Sequence, residues 1–434
     1  MSFNRRNFLS KLGTLAGTVT AGSLLTPALA NNLERAFESV AHLSLDECAS
    51  NEEFWYQIKM AYTVSPSLLN LNNGGVSPQP KVVQDAVERY NKLSNESPSY
   101  YMWRVLDRGR DAIRVKLADL AGCSPEEIAI NRNSSEALET VIFGLRLKAG
   151  DEVILSKQDY PNMINAWKQR AHREGIVLKW LNFDYPIEDK AAIVDTFKNA
   201  FTPKTKILHL THMINWCGQL LPAKEIIQEA HDQGIEVLLD AAHTFAHIDY
   251  NIPDLGCDYF GTSLHKWLCA PFGSGMLYVK KEKIKNLYPL FGAPDPEEDN
   301  IRKFENLGTR SGAIEQAIGQ AVDFHHLIGA ERKQKRLFHL KNYWTEKLAD
   351  LPQIKIHTPK SDAFSGAICL CSIDGMESVD VANILQSKYH IHVVGINWEN
   401  LHGIRVTPNV YTVTKDLDRF VEAMREIVLA EAKK

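Results

Sequence analysis

Short apolar runs recur along this chain at a spacing that leaves few folds open. Ile128-Ala-Ile130, Val153-Ile-Leu155, Ile207-Leu-His-Leu210, Val237-Leu-Leu239 and Met276-Leu-Tyr-Val279 have the length of strands, and longer helix-like stretches separate them. Strands so uniformly apolar are buried on both faces, which predicts an α/β architecture, a mostly parallel sheet sandwiched by helices. With 434 residues, 44% hydrophobic and 24% charged, the chain is long enough for a second domain. A helical stretch from about Ala313 to Leu348 leads toward strands near Ile354-Lys-Ile356 and Ala367-Ile-Cys-Leu370. The last helix aligns Leu417, Phe420, Val421, Met424 and Val428 on one face, so the C-terminal unit reads as smaller and α+β. The expected organisation is a leader at 1–30, an N-terminal segment at 31–85, a large domain at 86–320 and a small domain at 321–434. Within the second of these, 31–45 reads as a helical or loose lead-in.

Open α/β sheets bind ligands beyond the ends of their strands, and two residues there carry chemistry. Asp240 closes Val237-Leu-Leu-Asp240, and Lys266 follows in Phe260-Gly-Thr-Ser-Leu-His-Lys-Trp267. A lysine that condenses with an aldehyde, preceded by an acid at a buried strand end, is how an enzyme holds pyridoxal 5′-phosphate. The lysine must be uncharged to attack, so burial and a nearby positive charge have to lower its pKa from about 10.4; the adjacent His265 offers such a neighbour. Asp240 would keep the pyridine nitrogen protonated, so that the ring absorbs the electron pair of a bond broken at the substrate Cα. Taken singly, Asp240 also reads as a loop cap and Lys266 as a solvated charge.

With Asp240-Ala-Ala-His243 and Ser263-Leu-His-Lys266 in place, the chain resembles the class V aminotransferase family of fold-type I pyridoxal-phosphate enzymes. Further segments match in order: Asn72-Asn-Gly-Gly-Val-Ser-Pro78, Asn131-Arg-Asn-Ser-Ser-Glu-Ala137, Gln158-Asp-Tyr-Pro-Asn162, His212-Met-Ile-Asn215, Gly308-Thr-Arg310 and Ile404-Arg-Val-Thr-Pro408. Tyr101-Met-Trp-Arg104 and the Asp-Tyr-Pro turn are most similar to the isopenicillin N epimerase-like subgroup. The resemblance implies catalytic roles for Lys266 and Asp240, and it implies a cofactor site. Ser134 and Ser135 stand at a helix start whose free N–H groups suit a phosphate, although an ordinary N-cap gives the same pattern. Ser263 and His265 would add phosphate bonds, and Asn215 and His243 would touch the ring, His243 reading equally as a core histidine. Tyr160 falls where the family stacks a ring on the cofactor. Thr309 belongs to a pair that in relatives reaches the neighbouring subunit's phosphate, which implies a homodimer with shared active sites.

The resemblance also implies the substrate, an α-amino acid. Arg405 would fork onto its carboxylate, a geometry lysine cannot reproduce; Asn73 and Gly75 in the substrate loop and Arg310 complete the expected contacts. The reaction stays open. His390 to Arg405 contains no cysteine where desulfurases of the family carry one. Epimerisation needs a proton donor opposite Lys266, with Tyr160, Tyr100, Tyr101 and His402 as nominees, whereas transamination needs Lys266 alone. Aminotransferase or epimerase-like chemistry is the first reading, C–S lyase or desulfurase-type activity an alternative, and a non-catalytic pyridoxal-phosphate-fold binding protein the reading from another class.

A formal charge of −4 without a basic stripe argues against nucleic acid as a partner. Seven cysteines show no paired metal-ligand spacing, so no structural metal and no disulfide framework are expected. Asn4-Arg5-Arg6-Asn7-Phe8-Leu9, a weakly apolar run broken by Gly13, Gly17, Gly22 and Pro27, and Ala28-Leu29-Ala30 resemble a twin-arginine signal with a cleavage site. That predicts the twin-arginine export machinery as a partner, a periplasmic location and no stable membrane insertion. A flexible basic N-terminus gives the same residues.

Overall fold

The computed structural model describes residues 27–432; Arg5-Arg6 and the residues up to 26 lie outside that range, whereas Ala28-Leu29-Ala30 of the expected cleavage site falls in the first helix. The described chain begins with a helix at Pro27–Ser39 that buries Leu33, Ala36 and Phe37 at helical spacing, with Val40 buried in the turn just after it. Phe37 meets Phe54 edge-on at 5.1 Å, from the helix Glu52–Met60. Residues 31–45 are therefore docked, and the looser of the two expectations for them does not hold.

A two-residue strand, β1 (Leu69–Asn70), precedes the large sheet. That sheet contains β2 (Ile128–Asn131), β3 (Glu152–Ser156), β4 (Val177–Leu181), β5 (Thr205–Thr211), β6 (Glu236–Asp240), β7 (Tyr259–Ser263) and β8 (Gly275–Val279). Their spatial order is β2-β8-β7-β6-β5-β3-β4, and β8 alone runs against its neighbours. The five apolar runs became β2, β3, β5, β6 and β8. β4 and β7 were not expected, for different reasons. β4 is an edge strand whose residues are half-buried or exposed, so it lacks a continuous apolar run. β7 is fully buried, but Gly261, Thr262 and Ser263 give it a small and polar composition.

Two glycines on β7 and β8 decide how closely the helix Ser134–Gly144 approaches the sheet. A Cβ on Gly261 would lie 2.7 Å from the Leu138 side chain, and one on Gly275 would lie 2.6 Å from the backbone of Asn133. Without these side chains, the helix N-terminus reaches the ends of both strands.

The helix expected over 313–348 is two, Gly312–Ile328 and Ala330–Leu348, parted at Gly329 with φ 91°. That φ favours glycine. Beyond them lie β9 (Ile354–Ile356), β10 (Cys369–Ile373), β11 (Ile391–His392), β12 (Val394–Trp398) and β13 (Leu401–Val406). An antiparallel sheet forms in the order β12-β13-β10-β9, while β11 pairs in parallel with β1. The closing helix Thr414–Glu431 buries the expected apolar face. Its Phe420 meets Trp344 edge-on at 5.3 Å, both fully buried, a burial worth about 1.5–3 kcal/mol for a side chain of that size. Leu69, Leu71 and Ile391 share that apolar cluster, so the loop after β1 is anchored to the small sheet.

Candidate active site

Lys266 lies on the turn after β7 and Asp240 at the end of β6, its neighbour in the sheet. Burial lowers the Lys266 amine to about 8, opposed by Asp240 and assisted by Arg405. The positive neighbour is thus Arg405. His265 is itself held below the usual histidine range, first by burial and then by Lys266, and its Nδ1 faces the Ser274 carbonyl at 3.0 Å. A neutral ring donating there leaves Nε2 as an acceptor, so in this state His265 offers a phosphate no N–H.

The hydrogen bonds around His243 bear on the charge of Lys266. His243 is buried and held well below its ordinary pKa by burial, Lys266 and Arg405, so the ring is neutral. Its Nδ1 accepts from Trp267 Nε1 at 3.4 Å, and an indole N–H can only donate. The ring proton is then on Nε2, which faces Lys266 Nζ at 3.2 Å. Lys266 must accept, and only an uncharged amine has a lone pair. The turn is fixed further by Trp267 stacked on His247 at 3.8 Å.

Asp240 is buried, takes an N–H from Ala242 at 3.0 Å, and has its carboxyl pushed up by burial. Asp159 is beside it in charge terms. Its carboxyl is raised to about 7, first by burial and also by Asp240, while Thr211 Oγ1 at 2.7 Å and the Ser156 N–H at 2.8 Å oppose the shift. Only Tyr160 of the Gln158-Asp159-Tyr160 turn was expected to matter.

Ser134 and Ser135 open the helix Ser134–Gly144, but the N-cap is Asn133, whose side chain accepts from the Glu136 N–H. Ser134 donates its backbone N–H to Ser263 Oγ at 2.9 Å, and the two hydroxyls meet at 3.0 Å. The hydroxyl cluster therefore joins the helix N-terminus to the end of β7, a setting for an anion.

Arg405, on β13, is almost fully buried. Its Nη1 donates to the Asn215 carbonyl at 2.9 Å and its Nη2 to Asn72 Oδ1 at 3.0 Å. Burial lowers it to about 10, the Tyr160 hydroxyl being the neighbour that opposes this. Among the described residues no carboxylate pairs with it. Arg405 Nε and Asn215 Oδ1 are buried without a partner, and unmatched polar atoms of this kind mark a place for a ligand's groups. Asn73 has its amide committed to Thr407, Asn70 and Tyr411; the preceding Asn72 makes the Arg405 contact that sequence reading missed. Gly74 and Gly75 sit in the same loop, a Cβ on Gly74 lying 3.6 Å from His243.

Strand alternation sorts the remaining nominees. Val394, Ile396 and Trp398 oppose Arg405, Gly403 and Leu401, so they share a face, whereas His402 opposes Asn397 on the other. His402 is thereby removed as a proton donor beside Arg405. Tyr160 is 39% exposed and heads the helix Pro161–Glu174. Its loop is tied to the small domain by Trp398 Nε1 donating to the Lys157 carbonyl at 2.9 Å and by Gln158 Nε2 donating to Asn400 Oδ1 at 2.9 Å.

Thr309 and Arg310 are not joined to this cluster by any described contact. They line an open cavity of about 540 Å³ with Trp103 and Asp107. Arg310 binds Glu315 and the Glu305 carbonyl, and Glu305 is buried between Arg110 and Arg114.

A mixed but mostly parallel sheet flanked by helices, a smaller antiparallel sheet, and a buried lysine and acid at the strand ends define a fold-type I pyridoxal-phosphate enzyme. Comparison with known proteins agrees: residues 69–397 match the family described as aminotransferase class-V, and the chain belongs to it. The family depends on pyridoxal 5′-phosphate. The chain is 26% identical over 387 residues to isopenicillin N epimerase of Streptomyces clavuligerus, covering 85% of this chain and 97% of that one. It is 30% identical over 387 residues to a probable cysteine desulfurase of Synechocystis sp., covering 83% and 91%. A solved complex of the cystine C–S lyase C-DES with its product cysteine persulfide shares the fold, with a TM-score of 0.75 at 20% identity and coverage of 82% and 97%.

The described residues fit the cofactor. Burial draws the amine of Lys266 down to about 8 beside His243, Asp240 makes little hydrogen bonding of its own, the Ser134–Ser263 cluster is at a helix N-terminus, and Asn215 Oδ1 lacks a partner.

Proposed function

We propose that this protein acts at the Cα of an α-amino acid by aminotransferase or epimerase-like chemistry, with Lys266 as its catalytic base. The observation that carries the reading is the hydrogen-bond order Trp267 to His243 to Lys266, which leaves the lysine a free amine near Arg405. Bound pyridoxal 5′-phosphate supplies an electron sink for the bond broken at Cα. Ser134, Ser135 and Ser263 hold its phosphate, Asn215, His243 and Tyr160 contact the ring, and Asp240 keeps a proton on the pyridine nitrogen. Arg405 fixes the substrate carboxylate and so orients Cα, and Lys266 takes and returns the proton there.

The relatives named as desulfurases and the C–S lyase favour C–S cleavage as a second reading. Burial raises the pKa of Cys48, Cys123, Cys217, Cys257, Cys269, Cys369 and Cys371 alike, whereas a sulfur acceptor needs a lowered one. This disfavours a persulfide on the enzyme, but leaves C–S bond cleavage through Lys266 alone. Homodimerisation, with Thr309 and Arg310 serving the neighbouring site, and twin-arginine export belong to the same proposal.

Incubating the purified holoenzyme with a panel of L- and D-amino acids separates these readings. A keto acid or an inverted amino acid supports the first. Released sulfide or persulfide from cysteine or cystine establishes the second, and unchanged amino acids across the panel leave a binding protein.

A further inference from the structure

Lys333 is a buried amine that the chemistry above does not use. It is 3% exposed and one turn into the helix Ala330–Leu348, its backbone N–H bonded to the carbonyl of Gly329, the residue before that helix, at 3.0 Å. Its Nζ donates to the carbonyl of Trp267, the residue after Lys266, and lies 3.4 Å from His325 Nδ1. Among the described residues no carboxylate pairs with it. The charged and titratable groups around it are His325, from the helix Gly312–Ile328, Cys269, from the lysine turn, and His247, which is stacked on Trp267 and which the lysine helps hold below its ordinary pKa; Cys269 in turn is in contact with Tyr62 and Asn409.

The turn it reaches needs an external hold. Cys269 adopts φ 57°, a left-handed conformation disfavoured for a side chain of this kind, and the Cys269 N–H bonds back to the Lys266 carbonyl at 3.2 Å. The Ala270 N–H closes the loop onto the Leu264 carbonyl at 3.0 Å. Apart from Lys333, the Trp267 carbonyl is met by the Cys269 thiol at 3.8 Å, a weak donor, and a buried acceptor so poorly matched is costly. Lys333 also approaches from the helix that starts the small domain, whereas His243 and His247 hold the turn from the large domain.

We propose that Lys333 is a positioning residue. By donating to the Trp267 carbonyl it pins the Lys266–Cys269 turn and keeps the Lys266 amine against His243, tying the catalytic lysine to the start of the helix Ala330–Leu348. The inference rests on Lys266 as the reactive amine. Burial draws Lys333 itself down to about 8, and its Nζ faces two polar atoms, the Trp267 carbonyl and His325 Nδ1.

The test uses the cofactor-free full chain, so that it does not depend on turnover. Lys333→Met removes the donor at similar volume, and Lys333→Gln keeps an N–H for the carbonyl. In each, hydrogen exchange of the Cys269 and Ala270 amides is measured, with the pH midpoint for reductive methylation of Lys266 by formaldehyde and borohydride, read by mass spectrometry. In Lys333→Met the amides should exchange roughly tenfold or more faster, as the loss of one such hydrogen bond implies. The Lys266 midpoint should also move up from about 8 as the amine becomes hydrated, and Lys333→Gln should stay near wild type in both measurements. Wild-type exchange and an unmoved midpoint in Lys333→Met, even with a lowered Tm, would overturn the proposal. So would a Lys333→Gln protein that folds with a loosened turn, a result that stands even if Lys333→Met does not fold. If cofactor is found on another lysine while these effects are seen, the pinned turn survives and the role of Lys266 does not.

Discussion

At the scale of single residues, the site depends on who donates to whom. Arg405 donates to Asn72 and to the Asn215 carbonyl without a carboxylate partner, so its fork is available to a substrate. Arg405→Lys keeps a charge but loses one of two parallel bonds, each worth about 1.5–3 kcal/mol to a charged group. Steady-state kinetics should show roughly 10- to 150-fold weaker use of α-amino acids with simple amines almost unaffected; equal damage to both would make Arg405 a fold or dimer residue. Asp240→Asn should retain cofactor but lose roughly a hundredfold or more in turnover, because a neutral amide no longer stabilises charge on the pyridine nitrogen. Near-normal turnover would reduce Asp240 to a loop cap. Lys266 and Asp240 were legible in the sequence because their chemistry needs those residue types at or just beyond strand ends, whereas Asn215 and Arg405 were named through the family resemblance. Asn72, Asp159 and Lys333 were not, since each matters through a neighbour brought close only by folding.

Elements position these groups through close approach. Gly275 lets the backbone of Asn133 lie against the start of β8, which fixes the N-terminus of the helix Ser134–Gly144. Gly275→Ala has to move backbone, whereas Gly261→Ala presses on the movable side chain of Leu138. Both should destabilise by about 1–3 kcal/mol as overpacking does, measured by denaturant unfolding. Only Gly275→Ala should also weaken pyridoxal-phosphate binding, measured by titrating cofactor-free protein. Equal effects of the two on binding would detach the helix N-terminus from the phosphate. Strands with continuous aliphatic runs could be read from sequence, but β7, which leads into Lys266, could not. Its Gly, Thr and Ser are small because a helix packs on them, and nothing local in the sequence says so. The break at Gly329 was hidden for the opposite reason: helical residues continue on both sides of it.

For the whole molecule, the burial of Lys266 makes stability depend on pH in a defined sense. An unfolded lysine titrates at 10.5 and the folded one at about 8. Between these values the unfolded chain binds more protons, so this residue's contribution to stability rises with pH across the window. Its cost is complete below pH 8. Cofactor-free Lys266→Met should therefore exceed wild type in stability most strongly below about pH 8, with the difference shrinking toward pH 10.5 in denaturant unfolding across pH. A difference independent of pH would mean that the amine is hydrated in the native protein. The helix–sheet–helix layering around the large sheet followed from its apolar runs, whereas the tying of the small domain to the loop of Tyr160 through Trp398 and Gln158 did not, because residues more than two hundred positions apart meet there.

The central claim is that Lys266 is the amine that carries pyridoxal 5′-phosphate. Purified protein is treated with borohydride, digested, and mapped by mass spectrometry for the lysine bearing the reduced cofactor. The account predicts a yellow protein that loses its colour on reduction, with the label on the peptide containing Ser263 to Trp267 and placed on Lys266. A label on any other lysine, or a protein that takes up no cofactor at all, would contradict it.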